Sequence, residues 1–198
     1  MYEIEKELWE SGYELIAGVD EVGRGPLAGP VVSAVVVLRK GQMIEGVTDS
    51  KKISEAKREK LIDKILEEAV AYSISFVDEK VIDDINIRNA TFKAMNEAVN
   101  SLNVKPDFVL IDGNAIEGME LPHKCVIKGD LNCNCIAAAS IVAKVTRDRF
   151  MVELAKEYPE YDFEKHKGYG TKLHYEKLKE FGISNVHRKT FLKNLGEK

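Results

Sequence analysis

The sequence predicts an α/β domain built around a mixed sheet. Short runs of β-branched and apolar residues alternate with longer stretches in which apolar residues recur at helical spacing. Three runs of strand character come early and two more follow later, which is the pattern of strands joined by helices. With 198 residues, 44% of them hydrophobic, the chain can bury a sizeable core, so we expect one domain over residues 1–198.

The early strands are apolar runs bounded by turn residues. Residues 15–19 are apolar and end on Asp20, and residues 31–38 form a β-branched run that starts after Pro30. Proline lacks the N–H group that a central strand needs, so Pro30 marks the start of the second strand. Residues 70–77 predict the third strand because their composition suits a pleated surface.

Helices are predicted where apolar residues fall on one stripe. Residues 54–69 show this spacing, and the Ser54 hydroxyl can accept from a free amide of the first turn. The same spacing recurs in residues 84–102. Residues 131–158 predict a long helix, and the alanines at 137–139 would let it approach the sheet closely.

The second half adds two strands and a final helix. Residues 108–111 are fully apolar and end on Asp112, and residues 124–127 predict a shorter strand. Residues 171–181 predict a helix that Gly182 ends, since glycine adopts the left-handed conformation found just after helices.

The chain is acidic overall, but its charge is uneven. The formal net charge is −4, whereas the segment from Lys165 to Lys193 carries +6. An acidic protein is a poor global match to a nucleic-acid binder. A basic segment on an acidic body can still collect phosphates, and a solvated lysine-rich helix is the alternative.

Cysteine use and the terminus predict a cytoplasmic protein that is not embedded in a membrane. The three cysteines, Cys125, Cys133 and Cys135, lack the spacing of a zinc site, and an odd count argues against a disulfide framework. We expect them to be packing residues in a reducing cytoplasm. No apolar run approaches the roughly 20 residues of a membrane span, and the acidic N-terminus lacks a secretory pattern.

Two adjacent carboxylates, Asp20 and Glu21, are the most informative feature of the chain. They follow an apolar run and precede the turn Gly23-Arg24-Gly25. A carboxylate on a buried strand is costly unless something pairs with it, commonly a cation. The alternative is a strand end with ordinary surface acids and a Gly-rich turn. The glycines leave backbone amides unhindered and Arg24 adds a guanidinium, so the turn suits phosphate or sugar contacts.

Six blocks of sequence together resemble the signature of ribonuclease HII, the type 2 ribonuclease H family. The first block, residues 18–30, contains the two acids and the turn. The others follow in order: Asp49-Ser50-Lys51-Lys52-Ile53-Ser54, Leu110-Ile111-Asp112-Gly113, Lys128-Gly129-Asp130, residues 136–148, and His166-Lys167-Gly168-Tyr169-Gly170-Thr171. The resemblance implies a ribonuclease H-like, five-stranded mixed sheet flanked by helices, with a basic C-terminal helical extension over about 165–198.

The same resemblance implies an activity. The protein would be an endonuclease that cleaves the RNA strand of RNA–DNA hybrids and nicks DNA at embedded ribonucleotides. It would cut on the 5′ side of a ribonucleotide and leave 3′-hydroxyl and 5′-phosphate ends. It would act as a monomer on hybrids and ribonucleotide-containing DNA duplexes, in DNA replication and repair.

Four acids are the candidate catalytic and metal-holding residues: Asp20, Glu21, Asp112 and Asp130. If the strands that carry them are neighbours, the carboxylates converge at one edge of the sheet and repel each other. Divalent cations would relieve the repulsion, and hard carboxylate oxygens suit Mg²⁺ or Mn²⁺. Two ions about 4 Å apart could activate a water and stabilise the leaving oxygen. Asp130 has an alternative role as the N-cap of the long helix.

Nine residues are expected to contact the substrate. Gly23, Arg24 and Gly25 would read the 2′-hydroxyl, which separates RNA from DNA. Tyr169 would pack against the sugar or base at the junction. Backbone phosphates would be contacted by the remaining five: Ser50, Lys51, Lys52, Lys144 and Arg147. Plain solvent exposure is the alternative for these basic side chains.

Two other functions stay open on the sequence alone. One is a two-metal nuclease of the same fold that acts on DNA alone, such as a Holliday-junction resolvase, which cleavage of branched DNA would reveal. The other is a non-catalytic module that binds hybrids without metal. Converging acids argue against the second function, because a binder has no need for them.

Overall fold

A computed structural model describes residues 3–48, 50 and 52–193. Five strands form one mixed sheet, in the order β3-β2-β1-β4-β5. The strands are β1 (Leu15–Val22), β2 (Val31–Arg39), β3 (Ala71–Val77), β4 (Phe108–Asp112) and β5 (His123–Val126). The β1–β2 and β2–β3 pairs are antiparallel, and the β1–β4 and β4–β5 pairs are parallel. The predicted α/β class and mixed sheet are confirmed.

Helices cover both faces of the sheet. Within the described ranges these are α1 (Glu3–Glu10), α2 (Glu55–Glu68), α3 (Glu79–Asn100), α4 (Gly129–Asn132), α5 (Asn134–Glu157), α6 (Phe163–His166) and α7 (Lys172–Phe181). On one face, α2 and α5 bury residues such as Ile65 and Ile136 against the sheet. On the other face, α3 lies mainly against β2 and β3, and its Met95 and Ala98 belong to the core on that side.

Several predicted boundaries were wrong, each for a reason outside the local pattern. Strand β1 does not end on Asp20 but continues to Val22, because Asp20 and Glu21 still pair with β2. Helix α3 starts at Glu79, where the Asp78 carboxylate accepts from the Val81 amide, and it kinks at Asn86. Helix α1 was not predicted at all.

The C-terminal helices are present. Short 3-10 turns at Pro159–Tyr161 and Lys189–Phe191 flank α6 and α7. The α7 cap is as predicted: Thr171 accepts from the His174 amide and Gly182 ends the helix. In the part of the chain that the structure describes, no helix combines the length and apolar character needed to cross a membrane.

Candidate active site

Two parallel strands place Asp20 and Asp112 at the same edge of the sheet. In the β1–β4 pairing, Val19 is opposite Ile111, and Asp20 and Asp112 come next on their strands. Glu21 follows on β1. The predicted convergence of the acids depends on β1 and β4 being neighbours in the sheet, and the two strands are adjacent. Three of the four candidate acids therefore lie within reach of mutual electrostatic interaction.

Asp20 is buried and electrostatically strained. Its carboxylate accepts from the Glu21 amide at 2.6 Å and from the Ser140 hydroxyl on α5. Burial raises its pKa well above the ordinary value, and the charges of Glu21 and Asp112 raise it further. Both desolvation and repulsion by neighbouring acids therefore disfavour the ionised form of Asp20.

Glu21 links the acids to the Gly-Arg-Gly turn. Burial raises the Glu21 pKa, Arg24 opposes that rise, and Asp112 adds to it. The Arg24 guanidinium stands 3.4 Å from the Glu21 carboxylate and is largely exposed. Arg24 thus neutralises part of the acidic charge while its other face is open to solvent.

Asp112 is tied to the backbone beside Asp130. The Asp112 carboxylate accepts from the Gly129 amide at 2.6 Å, and Asp130 is the next residue, buried within α4. The alternative role of Asp130 as an N-cap is wrong. Lys128 occupies the N-cap of α4, and Cys133 occupies that of the long helix α5.

The donor chemistry of this acidic edge fits a hard divalent cation. Burial and the charges of neighbouring acids raise the pKa of Asp20 and Glu21, so these carboxylates lack enough nearby positive charge, and a bound Mg²⁺ or Mn²⁺ would supply it. In this structure, however, no group of three or more His, Cys, Asp or Glu side chains among the described residues is arranged to hold a metal ion. The reason is visible for Asp20 and Asp112, which both turn toward backbone amides. Metal binding would draw these carboxylates together.

The Gly-Arg-Gly turn is held from beneath by Arg188. This arginine is fully buried and donates to the carbonyls of Gly23 at 2.6 Å, Arg24 at 3.1 Å and Gly29 at 2.8 Å. Gly23 has a φ of +94°, a conformation that glycine adopts without strain. With its carbonyls occupied below, the turn presents the Arg24 side chain outward.

Arg147 is not a phosphate contact in this structure, and that expectation is corrected. Its side chain is fully buried, and its guanidinium donates to the carbonyls of Pro30 at 2.9 Å, Lys167 at 2.9 Å and Ala28 at 3.1 Å. All of its nitrogens are used on backbone. Arg147 therefore fastens the segment after the Gly-Arg-Gly turn to the loop that carries Tyr169.

Tyr169 lies beside that turn. A Cβ on Gly25 would sit 3.9 Å from the Tyr169 ring, and the Arg147 guanidinium lies 5.8 Å from the ring centre. The ring is 38% exposed, and the Leu27 amide donates to the neighbouring Gly168 carbonyl at 2.8 Å. The fold thus joins two sequence motifs, about 145 residues apart by their numbering, into one partly open surface.

The remaining predicted contacts are placed less uniformly. Ser50 is buried, and its hydroxyl forms a hydrogen bond with the Ser140 hydroxyl at 2.7 Å. Ser50 therefore positions Ser140, which donates to Asp20, and is not open to a phosphate. Lys52 is exposed, and Lys51 lies outside the described residues. Lys144 is paired with Asp148 at 2.7 Å.

Two buried histidines, for which the sequence predicted no specific role, fix the loop that carries Tyr169. His187 accepts from the Ser184 amide at its Nδ1, so its Nε2 carries the proton and donates to His174 Nε2 at 3.0 Å. His174 then donates from Nδ1 to the Tyr169 carbonyl at 3.0 Å. This series of hydrogen bonds is complete only if both imidazole rings are neutral.

We expect this histidine pair to make the fold acid-sensitive. Burial, with a smaller contribution from neighbouring histidines, lowers the pKa of both His174 and His187 to about 4. Below pH about 6.5 the unfolded chain takes up protons that the folded chain refuses, so stability falls from pH about 6.5 down to about 4. The measurement is the unfolding free energy at several pH values. His187→Gln should flatten the slope, and His123→Gln, at an exposed site on β5, should leave it unchanged.

Comparisons with known proteins agree in one family. The family model described as Ribonuclease HII matches residues 17–194. A protein named Ribonuclease HII from Caldicellulosiruptor bescii is 54% identical over 194 residues, covering 98% of this chain and 94% of its own. One of the same name from Clostridioides difficile is 53% identical, covering 96% and 75%. The crystal structure of the ribonuclease H2 from Pyrococcus horikoshii OT3 aligns with a TM-score of 0.79 at 30% identity, covering 92% and 97%.

Proposed function

The chain belongs to the ribonuclease HII family, and we propose that it cuts on the 5′ side of a ribonucleotide, leaving 3′-hydroxyl and 5′-phosphate ends. Membership makes it a ribonuclease H, a hydrolase that acts on the RNA strand of RNA–DNA hybrids. The proposal extends this activity to single ribonucleotides embedded in duplex DNA. The observation that carries it is the acidic edge lying directly beside a turn and an aromatic ring suited to a ribose.

Each group in the site has a role in this proposal. Asp20, Glu21, Asp112 and Asp130 hold two divalent ions, which when bound supply an activated water and neutralise the leaving oxygen. Gly23, Arg24 and Gly25 approach the 2′-hydroxyl closely, because glycines leave the backbone unhindered. Tyr169 stacks on the nucleotide at the junction. Arg188 and Arg147 keep the two recognition elements in register from below.

The setting follows from the substrate. We place the enzyme in the cytoplasm, as a monomer acting in DNA replication and repair. The three cysteines are unpaired, which is consistent with a reducing compartment.

The test is a labelled DNA duplex with one ribonucleotide, incubated with Mg²⁺, Mn²⁺ or a chelator. A single product of the expected length with either metal, and none with the chelator, supports the proposal. A branched all-DNA substrate in parallel tests the resolvase alternative. Binding without cleavage in every metal would instead point to a non-catalytic module.

Tyr169→Ala should impair cleavage at a single ribonucleotide more than cleavage of a long RNA–DNA hybrid. On a duplex with a single ribonucleotide, the enzyme can bind productively at only one position, whereas a long hybrid offers many positions for cleavage. Loss of ring stacking is worth about 1–3 kcal/mol, or roughly 5- to 150-fold. The measurement is the ratio of kcat/KM values on the two substrates, with Tyr169→Phe to separate the ring from the hydroxyl. Equal losses on both substrates would remove the junction role, and a large drop in Tm would assign the ring to packing.

A further inference from the structure

The acidic edge opens into a cleft that also carries positive charge. The cleft has a volume of about 320 Å³ and runs from Glu21 and Asp112 toward α3. Of the described residues that line it, Arg24 and Arg88 are the cationic ones. A nucleic-acid strand leaving the acids along this cleft passes Arg88, which belongs to none of the six motifs.

The backbone of α3 presents Arg88 at the cleft. The helix is interrupted at Asn86, whose φ of 66° breaks the helical path, and the Asn86 side chain accepts from the Asn89 amide at 3.1 Å. Arg88 therefore lies in the first turn of the continuing helix. Its guanidinium lies 5.2 Å from the centre of the Phe92 ring, a cation–π contact that steadies it.

Arg88 is already paired with an anion, and the pair is exposed. Its guanidinium donates to the Glu117 carboxylate at 2.9 Å, with 61% and 66% of the two side chains exposed. The Glu117 backbone is fixed, because Asn96 donates to its carbonyl at 2.8 Å. An exposed pair of this kind contributes little to stability, so another anion can replace the carboxylate at small cost.

We propose that Arg88 binds a backbone phosphate of the substrate strand beyond the scissile bond, and that Glu117 occupies the guanidinium until the phosphate displaces it. A backbone phosphate, like a carboxylate, carries one negative charge and accepts two parallel hydrogen bonds from a guanidinium. The neighbouring phosphates of the strand add to the attraction, which a single solvated carboxylate lacks. Until a phosphate binds to Arg88, the negative charge of Glu117 also repels other phosphates, which lowers non-specific retention of nucleic acid. This inference rests on the proposed function, since it assumes that a nucleic-acid strand occupies the cleft.

The two partners should respond with opposite signs. Arg88→Ala should weaken binding about 5- to 10-fold at low salt and reduce the slope of log Kd against log salt by about one. Glu117→Gln should tighten binding, because Arg88 is released and a repulsive charge is lost. The gain from Glu117→Gln should shrink when Arg88 is also replaced.

The experiment measures fluorescence anisotropy of a labelled duplex with one ribonucleotide, in Ca²⁺, at four sodium chloride concentrations. Lys93→Ala is the matched control: it removes one positive charge from a Lys–Glu pair on the same helix, away from the cleft. Tm is recorded for each variant. Equal salt slopes for Arg88→Ala and Lys93→Ala, or weaker binding by Glu117→Gln, would overturn the inference. Cleavage of the same duplex by the wild-type protein in Mg²⁺ tests the proposed function separately, so the two failures are distinguishable.

Discussion

Asp20→Asn and Asp112→Asn should each abolish cleavage while leaving the fold intact. The amide keeps the shape of the carboxylate but loses the charge that would hold a divalent ion. A group that acts at the reacting centre contributes about 10²–10³-fold or more to turnover. The measurement is kcat on the single-ribonucleotide duplex over a titration of Mg²⁺ and of Mn²⁺. Near-normal turnover of either variant at saturating metal would remove that residue from the metal site.

The Asp20 substitution should also raise stability when metal is absent. The folded pKa of Asp20 lies above its unfolded value, so the ionised group opposes folding, and stability falls as pH rises above about 4. Asp20→Asn removes that cost. At pH 7 in chelator, its unfolding free energy should exceed that of the wild type, and added Mg²⁺ should narrow the gap. Asp63→Asn, at an exposed position on α2, is the control and should change neither quantity.

Local signals in the sequence were sufficient for much of the fold. Ser54 caps α2 as predicted, because a cap depends on residues within one turn. Strand β2 was found because an uninterrupted β-branched run has few other interpretations. By contrast, α1 depends on a distant partner. Its buried Glu5 accepts from the Asn134 and Cys135 amides, and so caps α5 across about 130 residues of sequence.

The site was predictable where chemistry alone restricts the residue type. Adjacent acids at the end of an apolar run can also be ordinary surface residues, so Asp20 and Glu21 stand out only together with the Gly-Arg-Gly turn and the other motifs. Basic residues are harder, because lysine and arginine on a surface and arginine in a core look alike in sequence. Arg147 and Arg188 are buried and bind carbonyls, although their sequence context predicted a phosphate contact for one and a basic surface segment for the other. Only the fold reveals which carbonyls lack partners.

Gly18→Ala should destabilise the protein by about 3 kcal/mol or more, at the upper end for overpacking. Gly18 lies in β1, two residues before Asp20, with the start of α5 directly against it. A Cβ there would overlap the backbone of Cys135 and Ile136, which cannot rotate away as a side chain would. The close approach predicted for the start of this helix is therefore present at Gly18. Urea denaturation and Tm measure the loss.

The variant also tests whether the packing of α5 positions the acids. Helix α5 carries Ser140, which donates to Asp20, so a helix pushed away from β1 loses that hydrogen bond. The folded fraction of Gly18→Ala should therefore need more Mg²⁺ for half-maximal cleavage than the wild type does. Gly41→Ala is the control, since no atom lies near its Cβ position and only its φ of +73° adds strain. A Gly18→Ala protein that melts within a few degrees of Gly41→Ala would show that α5 can shift freely. The placement of Asp20 would then depend on the β1–β2 and β1–β4 ladders alone.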